Sequence, residues 1–146
     1  MKNIPKITRV QLKIEHEDES IFLGLVSSEP DYKLSLSINK KLSISLKNIA
    51  PVKISDGPDS GLTFSRFSFI NGVTETSYNL ISNRSGKNFL LNKLKNIDYI
   101  FQVHDPNGVN TAGSLTSVMR EIECINAVFN IDLLTFKDKN LYHLTQ

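Results

Sequence analysis

The sequence predicts an α+β fold: a two-layer sandwich in which two main helices cover a mostly antiparallel sheet. The first observation is size, because 146 residues with 40% hydrophobic and 22% charged side chains fit one globular domain over residues 1–146. The second is a set of short runs in which apolar and polar side chains alternate, as they do in half-buried strands. The third is a pair of longer segments with apolar side chains at helical spacing. We expect the element order β-α-β-β-β-β-α-β.

The chain begins with one predicted strand and one ambiguous segment. Residues 7–14 alternate from Val10 onward and predict the first strand. Residues 20–28 are compatible with a short helix or with an extended connection.

Residues 32–46 carry two patterns that conflict. Apolar side chains occupy nearly every even position, which favours strands. However, Leu34, Ile38 and Leu42 lie at i, i+4 and i+8, which is the stripe of an amphipathic helix. We therefore predict a helix over residues 29–42, with Pro30 tolerated in its first turn, and a strand over residues 43–48.

The Asn71-Gly72 pair is the clearest local signal. A Pro- and Gly-rich loop is predicted over residues 49–63, and the pair itself is flanked by β-type runs at residues 64–70 and 73–83. Asn-Gly between such runs favours a two-residue type I′ turn, because both turn positions need positive φ. In that register Phe67 faces Thr76, Phe69 faces Thr74 and Ser65 faces Tyr78. The face predicted to join the core carries Phe67, Phe69, Tyr78 and Leu80.

The C-terminal part predicts a strand, a helix and a returning strand. Residues 98–104 form the first strand, and Ser114 is the expected N-cap of a helix over residues 115–125. A strand over residues 127–133 follows, which makes a β-α-β unit with parallel strands. Residues 134–146 are expected to form a short final strand or an extended tail.

Composition and charge exclude several classes of protein. Seventeen Lys and Arg oppose fifteen Asp and Glu, so the net charge of +2 is weak for a dedicated nucleic-acid binder. A single cysteine excludes a disulfide framework within the chain and a Cys-rich zinc site. No apolar run approaches the ~20 residues of a membrane span, and no signal peptide is visible. We expect a protein of the reduced cytoplasm with no membrane partner, no cofactor and no metal.

Residues 82–88 resemble a phosphate-binding loop only in part. A P-loop needs Gly where Ile81 stands and Ser or Thr where Asn88 stands. The segment is therefore predicted to be a polar turn. It leaves a weak anion site formed by Arg84, Lys87 and the turn amides as the remaining functional interpretation.

Other reactive residue types occur without partners in the sequence. His104 and Asp105 follow each other, but His16 and His143 have no metal-ligand spacing to them, so a polar pair at a strand end is expected. Cys124 falls late in the predicted second helix with no local His, which predicts a structural thiol. No catalytic residues are predicted from these motifs.

Four segments of the chain resemble the IPExxxVDY family, a bacterial family of unknown function. They are residues 22–28 (FLGLVSS), residues 31–42 (DYKL, then INK and Leu42), residues 78–83 (YNLISN) and residues 91–99 (LNKLKNIDY). Asp98 and Tyr99 match the namesake motif, whereas Asn92 and Lys93 replace its Pro and Glu. The resemblance implies a helix at residues 29–42. It supplies no substrate, and the lost Glu favours a structural role for the motif.

Three hypotheses for the function follow. The first is a non-enzymatic binding or regulatory module that forms a homodimer, since exposed sheet edges need covering. The second is a weak nucleic-acid or phospho-ligand binder that uses Lys40, Lys41, Arg84, Lys87, Lys93 and Lys95. The third is an enzyme with an unrecognised site at the positions that match the family, which are Asp31, Tyr32, Asn39, Asp98 and Tyr99.

Overall fold

A six-stranded antiparallel sheet and two helices confirm the predicted α+β sandwich. The computed structural model describes residues 20–55, 57 and 60–132. The elements are β1 Ser20–Val26, α1 Asp31–Leu42, β2 Lys47–Lys53, β3 Thr63–Ile70, β4 Ser77–Ser82, β5 Arg84–Ser85, β6 Asn88–Phe89, β7 Tyr99–His104, α2 Ala112–Arg120 and β8 Ala127–Asn130. The large sheet has the order β2-β3-β4-β7-β1-β8, and β5 pairs with β6 in a small hairpin. Neither helix of this described part is long and apolar enough to cross a membrane.

Strand β1 lies inside the sheet and separates β7 from β8. Both neighbours run antiparallel to β1, so β7 and β8 are parallel to each other, as predicted, without being paired. Of the two alternatives for residues 20–28, the extended one is therefore correct. The predicted strand at residues 7–14 and the tail at residues 134–146 lie outside the described residues.

Helix α1 resolves the conflict between the two patterns. Its residues Leu34 and Ile38 are fully buried, and Pro30 occupies the N-cap position. The helix ends where Ser43 adopts a left-handed conformation with φ of 57°. Of the even-numbered apolar positions up to residue 42, Leu34, Ile38 and Leu42 pack into the core, whereas Tyr32 and Leu36 are exposed, as a helix requires and a strand does not.

Strand β2 begins later than predicted. It spans Lys47–Lys53, so the prediction of a strand at residues 43–48 and of a loop from residue 49 was wrong. The prediction failed because Pro51, which favours a loop in the sequence pattern, lies within the strand. Proline is tolerated here because β2 is an edge strand with a register shift between Ile49 and Val52.

The β3–β4 hairpin has a six-residue loop instead of a two-residue type I′ turn. Phe67 pairs with Leu80 rather than Thr76, and Phe69 pairs with Tyr78 rather than Thr74. The predicted register was therefore wrong by four positions. An even shift keeps every side chain on its face, so the predicted core face is correct.

The loop over residues 71–76 is held by Asn71. Its Oδ1 accepts hydrogen bonds from the backbone N–H groups of Val73 (2.9 Å) and Thr74 (3.2 Å). Its carbonyl oxygen accepts one from the N–H of Glu75 (2.9 Å), which has φ of 62°. Asn71 therefore organises a wider loop, and Gly72 has no positive φ.

Helix α2 starts and ends earlier than predicted. Its N-cap is Thr111, whose hydroxyl accepts the N–H of Ser114, while Ser114 bonds back to the Thr111 backbone. The prediction that Ser114 is the N-cap was wrong, because Ser114 supplies the other half of a capping box. The helix ends at Arg120, yet Ile122 and Ile125 still pack into the core.

The sheet has a hydrophobic core on each face. On the helix face, side chains of α1 and α2 such as Leu34 and Met119 pack against Leu23, Phe67 and Phe101 of the strands. On the loop face, Leu90, Leu91 and Ile97 of the segment between β4 and β7 cover Ile81 and Ile100. The second core was not predicted, because the apolar residues of the segment that covers it recur at neither helical nor strand spacing.

Candidate functional site

Asp98 and Arg84 form an ion pair at the end of the loop-face cover. The Asp98 carboxylate accepts the Nε–H of Arg84 and the backbone N–H of Ser27 (2.9 Å). Arg84 also lies over the ring of Phe89, with 4.9 Å from its Cζ to the ring centroid. Both carboxylate oxygens are thus used to close the covering segment onto β1, so the pair acts as an internal clamp.

Tyr99 faces the opposite side of the sheet and reaches the start of α1. Its hydroxyl donates to the carbonyl oxygen of Glu29 (2.7 Å). Burial, together with smaller contributions from the nearby charges of Asp31 and Asp98, raises the pKa of Tyr99 to about 12. The phenol therefore stays protonated at neutral pH and serves as a hydrogen-bond donor rather than a base.

The remaining family-matching residues do not converge with this group. Asn39 lies near the far end of α1, where its side-chain amide bonds both the N–H (2.7 Å) and the carbonyl (3.3 Å) of Leu46. Tyr32 is 56% exposed. Asp31 accepts the N–H of Tyr32 in the first helical turn, where a carboxylate suits the helix dipole. The charge of Asp31 is near enough to act on Tyr99, but among the described residues none of Asp31, Tyr32 and Asn39 shares a hydrogen bond with Asp98 or Tyr99, so the five do not form one group.

The predicted basic residues lie on two sides of the sheet. Lys40 and Lys41 end α1 on the helix face, and Lys41 forms an ion pair with Glu121 at 2.7 Å. Arg84, Lys87, Lys93 and Lys95 belong to the segment that covers the loop face. Lys87 is exposed at the tip of the β5–β6 hairpin. The six residues therefore do not form one continuous surface.

Asp105 organises the loop that leads into α2. It is 2% exposed, and its carboxylate accepts the N–H of Asn107 (2.9 Å) and both the N–H and the side-chain amide of Asn110 (2.8 and 2.9 Å). Burial raises its pKa, but these hydrogen bonds outweigh burial and hold the pKa below its ordinary value. Asp105 is therefore a structural carboxylate, as expected for a polar pair at a strand end.

A cavity of about 320 Å³ opens beside this loop, where β8 ends and β1 begins. Its lining includes Ser20, Ile21, Phe22, Asn110 and Ile131. Within the described residues no three His, Cys, Asp or Glu side chains are grouped to hold a metal ion. His104 instead shares a hydrogen bond with the hydroxyl of Ser20 (3.1 Å).

Cys124 is half-buried and packs against the helix-face core. Its carbonyl oxygen accepts the hydroxyl of Ser27 (2.7 Å), which ties the end of the α2 region to the end of β1. These contacts are those of a structural residue.

A polar row that was not predicted lies on the open half of the loop face. Ser68, Asn79 and Gln102 are neighbours across β3, β4 and β7, and all three are half-buried. None of their side chains hydrogen-bonds to a residue in the part of the chain that the structure describes. Lys47 pairs with Ser68 on the same face, and Arg66 lies in the next row. The signal was present in the alternation of residues 77–82, where polar side chains oppose the core positions.

Comparison of the chain with protein-family models, with curated proteins and with solved structures finds no match. The resemblance to the IPExxxVDY family therefore stays a prediction.

Proposed function

We propose that this protein is a non-enzymatic binding module whose ligand lies on the open half of the loop face. The observation that carries the proposal is the row of Ser68, Asn79 and Gln102, whose hydrogen-bonding groups have no partner among the described residues. The side chains of Asn39, Asp98 and Tyr99 are in contrast used to hold the fold. Half-exposed amides without internal partners are available to a ligand.

The charge on this side of the sheet favours an anionic, phosphate-bearing ligand. Among the described residues of this side, Arg84 and Asp98 neutralise each other, which leaves the positive side chains of Lys47, Arg66, Lys87 and Lys95. The two helices and the residues that flank them carry both signs, namely Glu29, Asp31, Glu121 and Glu123 beside Lys33, Lys40, Lys41 and Arg120. A ligand rich in phosphate is therefore attracted to the loop face rather than to the helices.

The row also has the dimensions of an extended ligand. Three neighbouring strands place its ends about 10 Å apart, from a strand spacing of roughly 4.8 Å. Asn79 and Gln102 each offer an amide donor and an acceptor, which can pair with base edges. We therefore take a single-stranded nucleic acid as the form of the ligand to be tested first.

Fluorescence anisotropy of a short labelled single-stranded oligonucleotide tests the proposal. We expect weak binding that falls steeply as salt rises, because phosphate contacts release counterions. Lys47→Glu and Lys87→Glu should each weaken binding several-fold, and Gln102→Ala should weaken it without changing the salt slope. Lys33→Glu is the matched control, since Lys33 is an exposed lysine of α1 on the opposite face.

Two results would count against the proposal. One is an isotherm that does not change between low and physiological salt. The other is an equal loss of binding in Lys33→Glu and Lys47→Glu. That result would mean that the oligonucleotide is attracted by the overall positive charge and does not bind at a defined site. If inorganic phosphate displaces the oligonucleotide at the same concentration as a mononucleotide does, the ligand is a small phosphate-bearing molecule instead of a polymer.

The compartment we propose is the reduced cytoplasm, where the lone Cys124 stays a thiol.

A further inference from the structure

A second row of polar side chains continues the ligand face beyond Asn79 and Gln102. Ser77 of β4 pairs with His104 of β7, and each lies two residues along its strand from the first row. Because side chains two residues apart in a strand share a face, Ser77 and His104 lie on the same side of the sheet as Asn79 and Gln102. All four residues are half-buried. The polar part of the loop face therefore includes an imidazole as well as amides and hydroxyls.

The ring of His104 is held through one of its two nitrogens. Its Nδ1 lies 3.1 Å from the hydroxyl oxygen of Ser20, the residue that pairs with His104 in β1. Its other nitrogen, Nε2, has no hydrogen-bond partner in the part of the chain that the structure describes. A hydroxyl can donate or accept a hydrogen bond, so Ser20 can hold the ring both when it is neutral and when it is protonated. Nε2 is therefore an oriented group that is available to a ligand.

Within the described residues, the strands on either side of His104 bring no charged group next to it. Its partners across the sheet are Ser20 of β1 and Ser77 of β4, and both are uncharged. The carboxylate of Asp105, the next residue in the chain, bonds the backbone amides of the β7–α2 loop, and Glu75 is exposed in the β3–β4 loop. Histidine is the residue type that gains its positive charge between pH 8 and pH 5. A charge gained here is therefore available to an anion.

We propose that His104 binds a phosphate of the ligand through Nε2, so that binding to the loop face tightens as the pH falls. This role rests on the loop-face ligand proposed above and adds to it a contact residue and a dependence on pH. Lys47 and Arg66 supply fixed positive charges on the same face, so a phosphate-bearing strand is attracted at every pH. The contact with His104 becomes a charge-assisted hydrogen bond only when the ring is protonated. Ser20 is a positioning residue, because it holds Nδ1.

Fluorescence anisotropy of a labelled single-stranded oligonucleotide at two pH values and equal ionic strength is the first test. The label is one whose emission does not change with pH. We expect binding to be several-fold tighter at about pH 5.5 than at about pH 8, with a salt slope steeper by about 0.7, the value for one further phosphate contact on a single strand. His104→Gln should show the weaker binding at both pH values. His104→Arg, which is charged at both, should show the tighter binding at both.

The other two histidines of the chain, His16 and His143, provide matched controls. His16→Gln and His143→Gln should keep the pH dependence of the unmodified chain, and Ser20→Ala should reduce it without removing it. Circular dichroism at both pH values checks that every variant is folded. Binding that does not change with pH, or a pH dependence that persists in His104→Gln, would overturn the role of His104 and leave the loop-face ligand standing.

Proton NMR of the imidazole C–H groups tests His104 without an oligonucleotide. The glutamine variants assign the three histidine signals. Inorganic phosphate should shift the signals of His104 and leave those of His16 and His143 unchanged. If the oligonucleotide does not bind at any pH but phosphate still shifts His104, the polymer proposed above is wrong and the phosphate contact stands. If neither probe shifts the signals of His104, the role of His104 is overturned.

Discussion

Gly24 shows how the absence of one side chain lets the segment between β4 and β7 pack closely against the sheet. A Cβ atom at Gly24 would lie 2.0 Å from Cδ1 of Ile97, a side chain that is itself 1% exposed. We predict that Gly24→Ala destabilises the protein by about 1–3 kcal/mol, the usual effect of overpacking a core. Urea denaturation measures this change.

The partner substitution makes the Gly24 prediction specific. Ile97→Val removes the Cδ1 atom and leaves Cγ1 and Cγ2 positions near 3.2 Å, so it should relieve most of the clash. The double variant is therefore expected to lose less than the sum of the two single variants. Additive losses would mean that the strand, rather than Ile97, responds to the new methyl group.

Asp105 should make stability depend on acid pH. Its folded-state pKa lies below the ordinary value of 3.8, so the carboxylate contributes stability above pH 3.8. That contribution is lost as the pH falls through the lower folded pKa. We predict that Asp105→Asn lowers stability at neutral pH and flattens the pH dependence below about pH 4, whereas Glu123→Gln, a substitution at an exposed site, leaves stability at neutral pH unchanged. Thermal melts between acid and neutral pH measure this dependence. A curve for Asp105→Asn that matches the curve of the unmodified protein would contradict the prediction.

At the scale of elements, substitutions in the β3–β4 loop distinguish the observed hairpin from one with a type I′ turn. A type I′ turn at Asn71-Gly72 would need positive φ at Gly72, whereas the observed loop places positive φ at Glu75. We predict that Gly72→Ala is nearly neutral, because no atom lies within 4 Å of the added Cβ. We also predict that Glu75→Gly stabilises the protein by about 0.5–1 kcal/mol, since it relieves a left-handed conformation. Denaturation of Glu75→Ala is the control and should show no such gain.

The same elements show what the sequence could and could not predict. The helical stripe of Leu34 and Ile38 predicted α1, and the alternation around Phe67 predicted which face is buried. The hairpin register failed because the side chain of Asn71 bonds the loop backbone, which dipeptide statistics do not distinguish from a type I′ turn. The polar row was overlooked because its members become neighbours only when β3, β4 and β7 pair.

At the scale of the whole molecule, the two faces of the sheet are covered by different kinds of structure. The helix-face core is closed by two regular helices, whose backbone groups bond within each element. The loop-face core is closed by an irregular segment that depends on side chains to satisfy its backbone. Regions of this second kind usually open at lower free energy than regular elements, so we expect the two layers to differ in local stability.

Asn83 is the residue on which the loop-face cover depends. It is fully buried, and its side chain donates to the carbonyl oxygens of Leu94 and Ile97 (both 2.9 Å) and accepts the N–H of Leu91 (2.7 Å). Asn83→Ala leaves the N–H of Leu91 and the carbonyl of Ile97 without a partner, whereas the Leu94 carbonyl still accepts the N–H of Ile97 (3.1 Å). We expect this to cost about 2 kcal/mol or more, at about 1–3 kcal/mol for each unsatisfied buried group. Asn92→Ala, an exposed asparagine of the same segment, is the control and should be neutral.

Hydrogen exchange shows in which part of the molecule Asn83→Ala lowers stability. In Asn83→Ala the amides of Leu91 and Ile97 should exchange much faster, whereas those of Leu23 and Phe101 in the central strands should keep protection close to the global limit. This difference follows because the cover bonds the sheet mainly through Asn83 and the Asp98 clamp, while β1 and β7 are paired along their length. Uniform acceleration at all four amides would show instead that the cover and the sheet unfold as one unit.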